Sequence, residues 1–177
     1  MVKVVVVNGT ADSGKYDFLR MCREKLRANR QMCVCLSYTS FARHIAAKAG
    51  LDQCKTQEDY EFVETIHRAL IKWNNTPLKD LITDIDAYHY TGVDYIICVD
   101  ANDLTDIFTI KAAFNASTMI ICSSQAKLGS YDRPYDPDSS AIVWDYPIWL
   151  DGSEGCLEKA VDAFIASIMR DDAKIYK

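Results

Sequence analysis

Residues 2–18, VKVVVVNGTADSGKYDF, pass from an apolar run (Val4, Val5, Val6, Val7) through Asn8 into Gly9-Thr10-Ala11-Asp12-Ser13-Gly14-Lys15. Glycine, four residues, then Gly-Lys follows a β-branched run long enough for a buried parallel strand, and helical spacing comes directly after it. That arrangement describes a phosphate cradle. Gly9 and Gly14 let the backbone approach an anion, the amides of 10–15 can point inward, and the helix adds its positive end. Lys15 then reaches the β- and γ-phosphates as a compact, mobile charge. The loop residues Gly9, Thr10, Ala11, Asp12, Ser13, Gly14, Lys15 and Tyr16 are therefore the candidate nucleotide-binding set. The full pattern has Ser or Thr after the lysine to ligate Mg²⁺, and here the residues are Tyr16 and Asp17. Tyr16 is expected to turn away from the phosphates or to stack at the rim. A strand-turn-helix with glycines used only for turning is the plain alternative.

The surrounding sequence alternates strands and helices. Residues 17–27 carry Phe18, Leu19, Cys22 and Leu26 at helical spacing, and 31–38 reads as a second strand. The hydroxyls of Tyr38-Thr39-Ser40 and Arg43 then lie at the carboxyl edge where open α/β sheets bind ligands, although capping by Thr39 or Ser40 and a solvated arginine account for them equally well. Helices follow over 41–49, 55–74 and 78–88, the longest opened by Thr56 with Asp59 three residues on, a capping-box pattern. Its apolar positions are Tyr60, Phe62, Val63, Ile66, Ala69, Leu70 and Trp73. Residues 93–100 form an apolar strand ending in Asp100, which either holds Mg²⁺ or its water or simply favours the turn. A helix over 102–114 and a strand over 117–124 precede the loop 125–140, whose basic residues are Lys127 and Arg133. A fifth strand over 141–150 is interrupted by Pro147, which marks an edge. The closing helix covers 154–169. This order calls for a single domain, an α/β three-layer fold with a mostly parallel five-stranded sheet and helices on both faces.

Composition narrows the function. With 177 residues, 49% hydrophobic and 25% charged, the chain is an ordinary globular protein able to bury a core. A formal charge of −5 argues against a general nucleic-acid or membrane-surface binder. No apolar run approaches the ~20 residues of a membrane span and the first strand leaves no room for a leader, so the expectation is a cytoplasmic protein. The seven cysteines read as reduced, mostly buried, small hydrophobes without zinc-site spacing. His44, His67 and His89 lie in separate segments and read as surface or satisfied side chains.

With its loop at 9–15, paired helices over 55–88, terminal strand and Asp151-Gly152-Ser153 turn, the chain resembles the P-loop kinases of nucleoside monophosphates, above all the small deoxynucleoside monophosphate kinase-like proteins of bacteriophages and some Gram-positive bacteria. The resemblance implies a phosphate loop, an acceptor-binding helical region (about 39–90) and an arginine-bearing lid (about 125–140). It implies ATP and Mg²⁺ as cofactors, and a nucleoside triphosphate donor and nucleoside monophosphate acceptor as partners. Gly9, Ser13, Gly14 and Lys15 match the family's Gly-x-x-x-Ser-Gly-Lys. The family's Arg before the serine is Asp12, its Asp-Thr is Tyr16-Asp17, its acceptor-binding Asp-Arg is Asp59-Tyr60, and its Arg-Glu-Pro is Asp100-Ala101-Asn102. Two outcomes follow. In a rewired kinase Asp17 and Asp100 hold the metal, and Lys15, Arg43, Arg68 and Arg133 stabilise the transferred phosphoryl. In a kinase-fold protein that has lost chemistry, the same seat serves sensing or sequestration, and a protein partner becomes the relevant one.

Overall fold

The computed structural model describes residues 2–9, 13–101, 103–124 and 142–175, without the side chains of 171–175. Five strands, β1 (Lys3–Gly9), β2 (Cys33–Ser37), β3 (Tyr95–Val99), β4 (Ser117–Ser123) and β5 (Tyr146–Leu150), alternate with helices α1 (Lys15–Ala28), α2 (Ser40–Lys48), α3 (Gln57–Asn74), α4 (Thr76–Tyr88), α5 (Leu104–Phe114) and α6 (Cys156–Ile175). The strands form one parallel sheet in the order β2-β3-β1-β4-β5. β1 is its centre, and the expected α/β three-layer architecture is the one observed. β5 lies at an edge, where Pro147 costs no ladder bond on its outer side.

The β-branched run of β1 is buried because a parallel strand meets helices on both faces. Successive side chains point to opposite sides. Val5 and Val7 enter a core made with Phe18, Cys22 and Leu26 of α1 and Phe164 and Ile168 of α6. Val4 and Val6 enter a second core with Leu81 and Ile85 of α4 and Ile107 and Ile110 of α5. A smaller cluster of Ala42, Ala46 and Val63 ties α2 to α3. The Thr56–Asp59 capping box is present, with both reciprocal bonds made.

α3 buries only one stripe of its apolar residues. Val63 and His67 are buried, whereas Tyr60, Phe62 and Trp73 are exposed, Trp73 by 77%. The helix packs chiefly on α2 and α4, so a stripe inherits the core and the rest of the apolar pattern faces outward. All seven cysteines are unpaired, and Cys35 on the edge strand β2 is exposed rather than buried. Among the described residues no helix is long and apolar enough to cross a membrane.

Phe18 joins the fold to the phosphate loop. It is fully buried one turn after Lys15, its ring 5.8 Å from that of Phe164. Replacing it with alanine is expected to cost about 3–5 kcal/mol in urea denaturation, because α1 loses its grip on α6 beneath the loop. A loss below about 1 kcal/mol would show that α1 is held by other contacts.

Candidate functional site

β1 ends at Gly9, between the ends of β3 and β4, on the edge of the sheet from which α1 departs. Two glycines shape this turn. A Cβ on Gly9 would stand 2.4 Å from the Ile121 carbonyl oxygen and 2.8 Å from Ser13 Oγ, so the backbone is admitted only because the residue is glycine. Gly14 caps α1 at φ 78°, in the left-handed region that glycine occupies without strain. Ser13 Oγ is buried without a hydrogen-bond partner. An orphaned hydroxyl beside a glycine-walled turn at a helix amino end fits a phosphate, which would supply the missing bond. Thr10, Ala11 and Asp12 of the candidate set lie outside the described residues.

Lys15 is 3% exposed and Asp100, just beyond β3, is 5% exposed. They meet at 3.0 Å between Nζ and Oδ1. The ammonium also donates to the Gly9 carbonyl at 3.4 Å, leaving one of its three protons for a ligand. Asp100 gathers more than the lysine. The Tyr16 hydroxyl lies 2.8 and 2.9 Å from its two oxygens, and Ser37 Oγ donates at 3.0 Å. Burial alone would raise the Asp100 pKa. The Lys15 charge and the bonds from Lys15, Tyr16 and Ser37 outweigh that and hold the carboxyl below its ordinary range, so it is ionised at neutral pH. Asp100 adopts φ 66°, a left-handed conformation that costs an L residue about 1–2 kcal/mol and that aspartate tolerates better than most.

Of the two expectations for Tyr16, turning away from the phosphates or stacking at the rim, the structure departs from the first. Its ring is half exposed at the rim with Lys15 Nζ 5.4 Å from the centroid, but its hydroxyl reaches in to Asp100. Nor does Asp17 join Asp100. Successive residues on a helix are turned by about 100°, so when Tyr16 faces the β3 end Asp17 faces away, and it pairs with Arg20 at 3.0 Å on the exposed side.

Among the described residues the donor set around Asp100 therefore does not fit Mg²⁺: position 16 offers a hydroxyl that donates to the carboxylate, and Asp17 is elsewhere.

The other candidate residues spread around this knot. Arg43 is exposed, and its Nε donates to Thr39 Oγ1 at 3.3 Å. Thr39 Oγ1 lies 2.9 Å from Ser37 Oγ, so two hydroxyls link the guanidinium to Asp100. Thr39 precedes α2 but makes no side-chain cap, its hydroxyl being used in this chain instead. Arg68 pairs with Glu64 at 3.0 Å on the outer side of α3. Arg133 lies outside the described residues, as does all of the loop 125–140.

Sequence reasoning missed His67, which is neither superficial nor satisfied. It is 6% exposed, its Nδ1 has no hydrogen-bond partner, and its ring meets Tyr38 edge-on at 5.0 Å. Tyr38 in turn bonds Asp106, and Asn75 Nδ2 donates to Asp106 Oδ1 at 2.9 Å. This polar group lines the α3–α5 side of the sheet edge. The available signal was position, since His67 falls four residues after Val63 on the buried stripe.

Desolvation lowers the His67 pKa, while the charges of Glu64, Asp100 and Asp106 oppose that shift only in part. The folded state thus keeps the ring neutral where the unfolded chain takes up a proton. Stability should be complete above the unfolded value of about 6.5 and fall as pH drops from there through the folded pKa. His67→Phe should flatten that slope in denaturation curves, and an unchanged slope would exclude this histidine as its source. Gly9→Ala is expected to abolish or severely reduce folding yield, since the clash is with backbone; normal yield and melting would show that the turn can relax.

No protein-family model and no curated protein matches the sequence. Solved structures do match by shape. The Mycobacterium tuberculosis APS kinase superposes with a TM-score of 0.56 at 14% identity, over 95% of this chain and 97% of that one. A sugar kinase from Janibacter sp. HTCC2649 gives 0.50 at 17% identity, over 92% and 94%. At such identity the likeness is one of fold alone, an α/β architecture shared with those two kinases.

Proposed function

We propose that the chain binds the phosphates of a nucleoside triphosphate at the turn after β1, and that it passes the γ-phosphoryl of ATP to a nucleoside monophosphate. The observation that carries the reading is the buried Lys15, set beneath a turn walled by Gly9 and Gly14 with the unpartnered Ser13 hydroxyl beside it. Main-chain donors, the amino end of α1 and the remaining ammonium proton are complementary to a polyphosphate. The kinase fold of the neighbours supports a phosphotransferase. The monophosphate acceptor rests on the resemblance drawn from the sequence, because those neighbours are named for other acceptors.

In that reaction an acceptor phosphate oxygen, already anionic at neutral pH, forms the new bond to Pγ as the bond from Pγ to the β-phosphate oxygen breaks. No base is needed. Lys15 would stabilise charge as it gathers on the leaving diphosphate, and Arg43, bonded to Thr39, is the arginine assigned to the acceptor phosphate.

A second reading keeps the nucleotide seat and drops the chemistry, leaving a sensing, sequestering or protein-binding role. It is favoured by Asp100, whose oxygens are taken by Lys15, Tyr16 and Ser37. A coupled assay over the natural ribo- and deoxyribonucleoside monophosphates with Mg-ATP separates the two: turnover with any acceptor supports the kinase, and none with all of them leaves the second. Nucleotide affinity underlies both. Lys15→Met should weaken ADP and ATP binding at least about tenfold by calorimetry, and unchanged affinity would remove the seat.

A further inference from the structure

We propose that this seat takes a nucleoside di- or triphosphate without a divalent cation, Tyr16 and Lys15 filling the places around Asp100 that a metal would use. The proposal rests on the nucleotide seat common to both readings above and goes beyond them in assigning the cofactor requirement.

Mg²⁺ needs oxygen ligands with free lone pairs in near-octahedral order. A carboxylate presents about four acceptor directions. At Asp100, Oδ1 faces Lys15 Nζ at 3.0 Å and the Tyr16 hydroxyl at 2.8 Å, while Oδ2 faces the same hydroxyl at 2.9 Å and Ser37 Oγ at 3.0 Å. Three donors face these directions, the single Tyr16 proton being shared between the two oxygens. Admitting a cation would require the phenol and the serine to turn away and would set a second positive charge against an ammonium that is 3% exposed. The ammonium has nowhere wetter to go, because it is pinned between Asp100 and the Gly9 carbonyl.

Tyr16 is the specific cause. A serine or threonine hydroxyl at this position is short and stays beside the phosphates, whereas the phenol spans the gap to β3 and spends its proton on the acid. Its ring also lies against the lysine, adding a cation–π contact that holds the ammonium in place. The charge a metal would bring to the phosphates is supplied instead by the one uncommitted proton of Lys15, by the Ser13 hydroxyl and by the amino end of α1.

The test is calorimetric titration of the whole protein with ADP, once with excess magnesium and once with excess EDTA. The wild type decides the claim without any variant: its dissociation constant should differ by less than about fivefold between the two conditions. Tighter binding with magnesium by about fivefold or more overturns the proposal. Tyr16→Thr, which shortens the hydroxyl and frees Asp100, should acquire magnesium dependence of at least about tenfold, and a variant that stays indifferent overturns the assignment to Tyr16. Absence of ADP binding under both conditions is a different result: it removes the nucleotide seat itself.

Discussion

The buried ion pair between Lys15 and Asp100 is the constraint around which the ligand edge of this protein is arranged. Each member alone would be costly to bury, and each is nearly excluded from water. Together they tie the first turn of α1 to the end of β3, across the gap between neighbouring strands of the sheet. Tyr16 and Ser37 complete the coordination of the acid, so α1, β2 and β3 converge on one carboxylate. Such a pair contributes little net stability against an apolar replacement, and its value lies in fixing where the charges sit.

The fold delivers these groups by ordinary means. A central strand of four consecutive valines commits one alternating set to each helical layer, and this double burial puts the end of β1 at the middle of the sheet edge. Strand order then sets β3 beside it, which brings residue 100 next to residue 15 although they are remote in sequence. The hydroxyls after β2 arrive because β2 pairs with β3 and ends level with it, Ser37 opposite Val99. Arg43, one turn into α2, is thereby linked to the acid through Thr39 and Ser37.

Local patterns revealed the elements but not their contacts. The β-branched runs, the Thr56–Asp59 cap and the edge-marking Pro147 each carry their meaning within a few residues, and five strands form near those signals, although the fifth, expected over 141–150, is confined to Tyr146–Leu150. Tyr16 could not be read this way, because its partner lies across two strands and its role depends on their order. Asp17 was assigned to a metal through its place in a motif, and the helical turn sends it outward to Arg20. His67 was legible in principle, being spaced from Val63 on the inward stripe, but a histidine on an apolar face gives no sign of whether its nitrogens find partners. Phe62 and Trp73 share the helical spacing of the buried stripe's neighbours, and spacing alone does not say that they are exposed.

The account stands on Lys15 and Asp100 being energetically coupled, and a double-mutant cycle of Lys15→Met, Asp100→Asn and the pair, followed by urea denaturation, measures that directly. Each single change should cost about 3–5 kcal/mol because it strands a buried charge, and the double change should recover at least about 2 kcal/mol of the summed loss. Additive losses, with coupling below about 0.5 kcal/mol, would contradict the claim that this pair organises the site.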